Sequence, residues 1–353
     1  NGVRHSFGDP GATEIPLVRM CEHRKKLRYV VALSEVAAVP MADGYARAKR
    51  SLGVVNLHVA PGLGNGMGGL YTAGIAQTPL LVLIGGQDRR LLHTQPILWG
   101  PLEKMAGAVC KAVFGLNTRS DAASNLLQAL RTVLTPPFAP VALICPPDLL
   151  EQDLDAKPQL VAAPALAALA EADAQRYARL LTRAQRPAFI AAEDVHWNNA
   201  GGALEKLARS LAAPVYVAPY TAALPIDSSS ACYAGYLPPS FKQISERLAH
   251  HDLLLFAGGT GLRTTLYSEA RLPQMKLWIG NNAGVRAVDG EFEFATIADT
   301  RSGLNAINRA LKIKRPAPKR QRPQVALPAA QANVFHPSRA VHALLAAFPD
   351  AIW

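Results

Sequence analysis

Short apolar runs recur through the first 150 residues of this chain, and most precede a stretch with the apolar spacing of a helix. The helical stretches cover residues 35–49, 64–76 and 121–134. Apolar strands that alternate with helices are typical of a parallel sheet covered on both faces. The pattern therefore predicts a doubly wound α/β domain over residues 1–150. The runs are LRYVVAL, GVVNLHV, PLLVLIG and APVALICP.

A second series of the same kind begins after a break in the pattern. Acids, prolines and alanines replace the apolar runs near residue 150, and we interpret residues 151–175 as a linker. Residues 176–311 then predict a second doubly wound sheet, with helices near 200–211 and 301–311. Its strand candidates are RPAFIAAEDV, APVYVAP, HDLLLFAGG and MKLWIGNN.

The last 42 residues begin with a basic, proline-rich stretch, KIKRPAPKRQRP. We interpret residues 312–335 as a solvated linker, so the net charge of +11 does not by itself indicate a nucleic-acid partner. Residues 336–353 predict a helix followed by the first residues of a strand, AIW. We expect them to begin a third α/β domain, so that the chain is a fragment at both ends.

Composition excludes several classes of protein. Hydrophobic residues make up 50% of the chain and charged residues 18%, which indicates a globular protein with a large core. The longest apolar run is shorter than the ~18 residues of a membrane span. Four scattered cysteines suggest reduced thiols and a cytoplasmic location. The nine histidines show no metal-ligand spacing, so we expect no metal held by this chain alone.

Three segments that leave predicted strands carry the candidate functional residues. These segments are FGDPG, the run VVALSEVAAVPMADGYAR that contains Glu35, and HVAPGLGNG. Because parallel strands deliver their carboxyl ends to one edge of a sheet, we expect the three segments to meet in a crevice. A single acid among glycine-containing loops then suggests a cofactor pocket.

A dinucleotide site is an alternative interpretation of the third segment. Residues 64–69 match G-x-G-x-x-G after a predicted strand, and Asp88 lies at about the distance of a ribose-binding acid. This alternative predicts an NAD(P)-dependent oxidoreductase. It assigns no role to Glu35 or to FGDPG.

The motifs together resemble a known family. FGDPG, SEVAAVPMADGYARA, VVNLHVAPGLGNGMGGLYTA and PLLVLIGGQ look like the pyrimidine-binding domain of thiamine-diphosphate enzymes that act on 2-oxo acids. The chain most resembles the benzoylformate decarboxylases and next the acetolactate synthase large subunits, up to about residue 311. The resemblance implies a decarboxylase or lyase, with an acetolactate synthase-like carboligase (a transferase) as the alternative. A non-catalytic scaffold subunit is a further alternative from another class.

The resemblance also implies cofactors and partners. The third domain of the family holds thiamine diphosphate through Mg²⁺ with a GDG-type motif, which does not occur in this sequence. FAD occurs in the middle domain of synthase-like relatives and is an open possibility here. The family implies a homodimer or homotetramer with its active site at the interface, and a small 2-oxo acid substrate. From the placement of the basic residues and the length of the apolar runs, we expect neither nucleic acid nor membrane as a partner.

Individual site residues follow from matching the motifs position by position. Glu35 is implied to hydrogen-bond the pyrimidine ring and so help the cofactor lose the proton of its reactive carbon, and His58 to position substrate or move protons. The implied substrate residues are Ala12, Gln87 and Thr265. Ala12 stands where benzoylformate enzymes have serine, and Thr265 where they have a second active-site histidine, so the 2-oxo acid is unresolved. The implied cofactor-binding residues are Pro10, Gly11, Glu35, Pro61, Gly62 and Asn65.

Overall fold

The chain contains two parallel sheets, as the sequence predicts, and each has six strands where four were proposed from the apolar runs. The computed structural model describes residues 2–153, 160–281, 292–316, 329 and 336–348. Residues 1–318 make one compact unit and residues 319–353 another. Both sheets lie in the first unit, and all their described strand pairs are parallel. The predicted fold class of two doubly wound α/β domains is confirmed.

The first sheet has the spatial order β2-β1-β3-β4-β6-β5. The chain moves outward from β1 to β2 and then crosses to β3 on the other side of β1, so a topological switch point lies between β1 and β3. Buried aliphatic side chains cover both faces of the sheet. The strands are β1 (His5–Gly8), β2 (Arg28–Val31), β3 (Gly53–Leu57), β4 (Leu80–Gly85), β5 (Ala112–Gly115) and β6 (Val141–Cys145).

Six α-helices accompany this sheet, together with 3-10 turns at Ala12–Glu14 and Arg89–Thr94. The helix predicted at 35–49 has those bounds. The helix predicted at 64–76 begins five residues earlier, and the helix predicted at 121–134 begins at Arg119. The helices are α1 (Ile15–Glu22), α2 (Glu35–Lys49), α3 (Val59–Ile75), α4 (Leu102–Gly107), α5 (Arg119–Val133) and α6 (Pro147–Leu150).

The second sheet has a different strand order, β12-β11-β10-β7-β8-β9. The chain builds outward from β7 to β9 and then crosses to β10 on the other side of β7, so a switch point lies between β7 and β10. The four predicted strands are present, and the edge strands β9 and β12 are additional. The strands are β7 (Pro187–Ala191), β8 (Val215–Val217), β9 (Tyr233–Tyr236), β10 (Leu253–Ala257), β11 (Met275–Gly280) and β12 (Phe294–Ile297). The helices are α7 (Glu171–Arg183), α8 (Glu193–Trp197), α9 (Gly201–Leu211), α10 (Phe241–Leu248) and α11 (Thr300–Ala310).

Arg47 joins the two sheets. Its guanidinium pairs with buried Asp43 (Nη2–Oδ2, 2.5 Å) and donates to the carbonyl of Ala222 at 2.7 Å. Its own carbonyl accepts a hydrogen bond from His196 of α8 at 3.0 Å. Since α7 begins at Glu171, the predicted linker 151–175 overlaps an ordered helix, and the boundaries at 150 and 175 stay predictions.

In the second unit, the structure describes the helix α12 (Pro337–Ala347), close to the helix predicted from HPSRAVHALLAAF. Most of the predicted basic linker and the AIW segment lie outside the described residues. None of the helices in the described ranges combines the length and the hydropathy of a membrane span.

Candidate active site at the carboxyl edge of the first sheet

The segments that follow β1, β2, β3 and β4 meet at the switch point of the first sheet. Those after β1, β2 and β3 contribute Glu14, Glu35 and His58 respectively, and Gly85 is the last residue of β4. In open α/β sheets this edge is where ligands bind. The position agrees with the crevice predicted from the three strand-exit segments.

Glu35 is the first residue of α2 and is only 7% exposed. Ser34 caps this helix by accepting from the backbone N–H of Val36 at 3.3 Å, which fixes the turn that delivers the carboxyl inward. Asn65 Nδ2 donates to Glu35 Oε2 at 3.2 Å. Oε1 has no hydrogen-bond partner among the described residues.

Because Gly62 has no side chain, a gap remains beside the Glu35 carboxyl. A Cβ at this position would lie 2.5 Å from Glu35 Oε1 and 3.3 Å from the Cβ of His58. Any larger residue would therefore displace the carboxyl and narrow the gap beside His58. The structure thus brings Glu35, His58, Gly62 and Asn65 together, as the motif match implies.

His58 ends the segment after β3 and is paired with a carboxylate that the sequence analysis missed. Its Nδ1 lies 2.7 Å from Oε2 of Glu14, whose side chain is completely buried. Glu14 Oε2 also accepts from the N–H of Gly11 at 2.9 Å, and Oε1 accepts from the Thr13 hydroxyl at 2.6 Å. The two acids and the histidine give the site three ionisable groups within one crevice.

Two glycines hold this pair in place. A Cβ at Gly11 would lie 2.1 Å from His58 Cε1, so the imidazole rests directly on the Gly11 backbone. A Cβ at Gly85, the last residue of β4, would lie 1.4 Å from Glu14 Oε1. Gly11 thus contributes by close approach, which supports its predicted place in the site.

The segment after His58 has a strained backbone. Val59 has φ of 39°, in the left-handed region that β-branched residues rarely adopt. Such strain persists where surrounding structure enforces it, and it is concentrated at functional sites. Val59 is the first residue of α3, so this strain lies immediately after the histidine.

Beneath the carboxyl groups, Tyr29 donates a hydrogen bond to Asn56 Oδ1 at 2.8 Å, and Asn56 Nδ2 donates to the Leu83 carbonyl at 3.1 Å. Burial raises the pKa of the Tyr29 phenol well above its usual range, and the nearby charge of Glu14 raises it further. The phenol therefore stays protonated and serves as a donor below the site.

Residues 59–69 do not form a glycine loop, because the helix predicted to begin at residue 64 already begins at Val59. All these residues lie inside α3, so their N–H groups do not form a phosphate-binding loop. Pro61 is tolerated because the first turn of a helix leaves its N–H groups unpaired. Asn65 likewise lies within the helix. Asp88 pairs with Arg90 at 2.5 Å, and this hydrogen bond lowers the pKa of its carboxyl to about 2.

The remaining predicted residues are more dispersed. Pro10 is half-buried beside Gly11, and Ala12 is exposed in the 3-10 turn. Gln87 Nε2 donates to the Ile97 carbonyl at 2.9 Å, which ties the following loop to the end of β4. Thr265 belongs to the second sheet's region, where it donates to the Pro239 carbonyl at 3.1 Å, and no described contact joins it to Glu35 or His58.

A separate cleft of about 1100 Å³ lies between the regions of the two sheets. Tyr71, Cys110, Tyr220 and Arg263 are among its lining residues, and neither Glu35 nor His58 is.

Within the described ranges, no cluster of three or more histidine, cysteine or acidic side chains could hold a metal ion. The candidate site is therefore defined by its chemistry and topology rather than by cavity size.

Two family models match the chain. One is described as thiamine pyrophosphate enzyme, N-terminal TPP binding domain, and matches residues 1–105; the other, thiamine pyrophosphate enzyme, central domain, matches residues 174–288. The chain belongs to the thiamine pyrophosphate enzyme family, of which it contains the N-terminal and central domains. Glu35 and His58 both lie in the first matched region.

Within the family, the chain is similar to benzoylformate decarboxylase of Pseudomonas aeruginosa, with 34% identity over 275 residues, 74% of this chain and 50% of that protein. Acetolactate synthase isozyme 3 large subunit of Escherichia coli is 30% identical over 149 residues, 42% of this chain and 26% of that protein. The structure of Rhodococcus jostii RHA1 thiamine diphosphate-dependent 4-hydroxybenzoylformate decarboxylase has a TM-score of 0.81 at 27% identity, covering 98% of this chain and 66% of that one. The chain spans half or less of the length of these two curated relatives.

Proposed function

We propose that this chain supplies the cofactor-activating half of a thiamine-diphosphate-dependent 2-oxo acid decarboxylase of the benzoylformate decarboxylase type. The observation that carries the proposal is the buried Glu35 carboxyl, whose Oε1 faces the space that Gly62 leaves free. The similarity to benzoylformate decarboxylase extends over 275 residues, which supports the decarboxylase branch over the synthase branch.

The residues present fit the cofactor's aminopyrimidine ring. Glu35 Oε1 would hold the hydrogen bond to a ring nitrogen, while Asn65 fixes Oε2 and so orients the carboxyl. Thiamine diphosphate supplies a carbon nucleophile for the substrate carbonyl and an electron sink for loss of CO₂. The chain's own contribution is a buried acid at a helix N-terminus and a histidine that can exchange a proton.

We assign the other site residues by the same geometry. The backbone of Pro10 and Gly11 and the first turn of α3, with Pro61 and Gly62, would line the cofactor. Ala12 and Gln87 would lie toward the substrate. Thr265 would contribute only if a further chain segment or a partner brought it to the site.

The complete site needs more than this chain. We propose that Mg²⁺ and the diphosphate group are held by sequence that the longer relatives carry, and that the enzyme works as a homodimer or homotetramer in the cytoplasm. Leu33, 99% exposed, and Val36, also exposed, flank Glu35 with apolar surface, which supports a partner over this edge.

Two alternatives differ in their chemistry. An acetolactate synthase-like carboligase would share Glu35 and join two 2-oxo acids rather than release an aldehyde. A non-catalytic scaffold would need neither Glu35 nor His58. An NAD(P)-dependent oxidoreductase loses its support because residues 64–69 are helical.

The test uses the protein together with the further sequence that its relatives carry, which we call the extended protein. Benzoylformate and pyruvate are supplied separately, with and without thiamine diphosphate and Mg²⁺, and aldehyde, acetolactate and CO₂ are measured. Aldehyde and CO₂ in equal amounts, formed only with cofactor, support the decarboxylase. Acetolactate would favour the carboligase, and no cofactor-dependent turnover of either acid would contradict the proposal.

A further inference from the structure

Glu14 is a completely buried carboxylate beside His58, and the proposed function so far gives it no role. We propose that Glu14 is a positioning residue that keeps the proton of neutral His58 on Nδ1 and leaves Nε2 as the atom that exchanges protons with the ligand. Which ring nitrogen of His58 carries the proton does not depend on the reaction. That Nε2 exchanges a proton with a substrate rests on the proposed function.

The hydrogen bonds around Glu14 show which group donates the hydrogen bond between Glu14 and His58. Oε2 accepts from the N–H of Gly11 and Oε1 accepts from the hydroxyl of Thr13, so both oxygens already act as acceptors. An ionised carboxylate can only accept hydrogen bonds. With a carboxylate at position 14, the 2.7 Å contact with His58 Nδ1 is an N–H donated by the ring. The Thr13 oxygen, 3.3 Å from Nδ1, donates its only proton to Glu14 Oε1, so it too can only accept from Nδ1.

The ring's surroundings leave Nε2 available. The His58 side chain is 24% exposed although its Glu14 partner is fully buried, so the ring spans from the interior to the crevice. The Gly11 backbone lies against the imidazole, where an added Cβ would come within 2.4 Å of Nε2. Among the described residues, no side chain or backbone group hydrogen-bonds Nε2.

This arrangement prepares His58 for a change of charge. When Nε2 takes up a proton, the imidazolium is next to a buried carboxylate that needs no movement to stabilise it. The glycine at position 85 makes room for that carboxylate against the end of β4. A capping role alone, through the Gly11 N–H, would require neither the contact with His58 nor the burial of both oxygens.

Histidine NMR on the 353-residue chain tests the proposal directly. The His58 signals are assigned by their loss in His58→Gln, and ¹⁵N shifts at alkaline pH report which ring nitrogen carries the proton. We expect Nδ1–H in the wild type and a shift toward Nε2–H, the tautomer that free histidine favours, in Glu14→Ala. Nε2–H in the wild type, or an unchanged tautomer in folded Glu14→Ala, would overturn the proposal.

Glu14→Gln keeps the shape of the side chain and tests the charge if Glu14→Ala does not fold. An imidazole N–H that donates a short bond to a carboxylate gives a strongly downfield proton signal, which we expect in the wild type and not in Glu14→Gln. Glu22→Gln, an exposed exchange at the end of α1, should keep the signal. Its persistence in Glu14→Gln would contradict the assignment.

Kinetics of the extended protein separate this inference from the proposed function. We expect Glu14→Gln to lower kcat about 10- to 100-fold, part of the ~10²–10⁴ that positioned proton transfer supplies, with half-saturation by thiamine diphosphate unchanged. An active enzyme whose His58 carries Nε2–H would contradict the inference alone. If His58 carries its proton on Nδ1 but the extended protein does not act on 2-oxo acids, the proposed function alone would be contradicted.

Discussion

The carboxyl edges of the two sheets each contain a topological switch point, and their chemistry is opposite. The strand orders differ, but in each sheet the chain builds in opposite directions from two adjacent strands, β1 and β3 or β7 and β10, and each sheet places two acids near that crevice. At the first edge Glu14 and Glu35 surround a partly exposed histidine. At the second edge Glu193 and Asp194, which follow β7, are both buried.

The acids of the second edge are satisfied by the protein itself. Glu193 pairs with Arg263 at 2.8 Å, and Asp194 accepts from the backbone N–H of Asn281 at 3.1 Å. Burial raises the pKa of the Asp194 carboxyl to about 7, against the opposing effect of the Asn281 hydrogen bond. Both acids are already bonded within the protein, and no contact among the described residues supports the possibility of FAD here.

The difference shows that a topological switch point provides a crevice where a ligand could bind, and that the side chains in the crevice decide whether one does. The first edge retains a free carboxyl oxygen on Glu35 and an unpartnered ring nitrogen on His58, within the described residues. At the second edge Asp194 joins the ends of β7 and β11, and Glu193 joins the end of β7 to the segment after β10. Four substitutions can break or sharpen this comparison.

Gly62→Ala should have the largest effect. Its methyl group would lie 2.5 Å from Glu35 Oε1, so the carboxyl must move. We expect kcat of the extended protein to fall about 10²-fold or more. Gly64→Ala is the matched control, because its Cβ would meet only the end of Met105 at 3.9 Å and alanine favours a helix. Equal activity of the two variants would contradict the assigned position of Glu35.

Gly85→Ala should destabilise the first sheet's domain by about 3 kcal/mol, since overpacking in a filled interior has costs of this order. Its methyl group would overlap Glu14 Oε1. Urea denaturation of the chain measures the change. Gly107→Ala, whose Cβ would meet nothing within 4 Å, is the control, and a similar midpoint for both variants would mean that Glu14 is not held against β4.

Asp194→Asn should change the pH dependence of stability. The folded chain keeps this proton up to about pH 7, whereas an unfolded aspartate loses it near pH ~4. The contribution of Asp194 is therefore fully present below pH ~4 and is lost as the pH rises to about 7. We expect the variant to gain stability relative to wild type over this window, while exposed Asp153→Asn does not. Parallel pH profiles for wild type and Asp194→Asn would show that the carboxyl is not buried.

Tyr29→Phe should have the smallest effect, about 1 kcal/mol of unfolding free energy, because it leaves the buried Asn56 Oδ1 without its donor. Tyr71→Phe, at an exposed position of α3, is the control and should be neutral. A Tyr29→Phe variant as stable as the control would show that the hydrogen bond below the site contributes nothing.

Sequence patterns predicted the elements that have strong local signals. Helix α2 begins and ends as predicted because Ser34 caps it and its apolar spacing is regular. Helix α3 was predicted five residues short, since Pro61 and several glycines are typical of turns. In the helix, Gly66 and Gly69 instead allow α2 to approach, with Val39 packed against both.

Glu14 could not be found in this way. It lies 44 residues from His58, and the 3-10 turn Ala12–Glu14 that presents it is too short for a periodic pattern. Its position next to the FGDPG segment was the available signal. Glu35 was accessible because a strand, a cap and a helix are adjacent in the sequence, whereas the Glu14–His58 pair forms only when β1 and β3 become neighbours.

The most direct test exchanges one acid at each edge. Glu35→Gln and Glu193→Gln are compared in the extended protein by kcat for 2-oxo acid consumption at saturating thiamine diphosphate and Mg²⁺. The account predicts a loss of about 10²- to 10⁴-fold for Glu35→Gln. For Glu193→Gln it predicts lower thermal stability with kcat within about threefold of wild type, because Arg263 loses its ionic partner. Equal losses, or an active Glu35→Gln enzyme, would contradict the assignment of catalysis to the first edge.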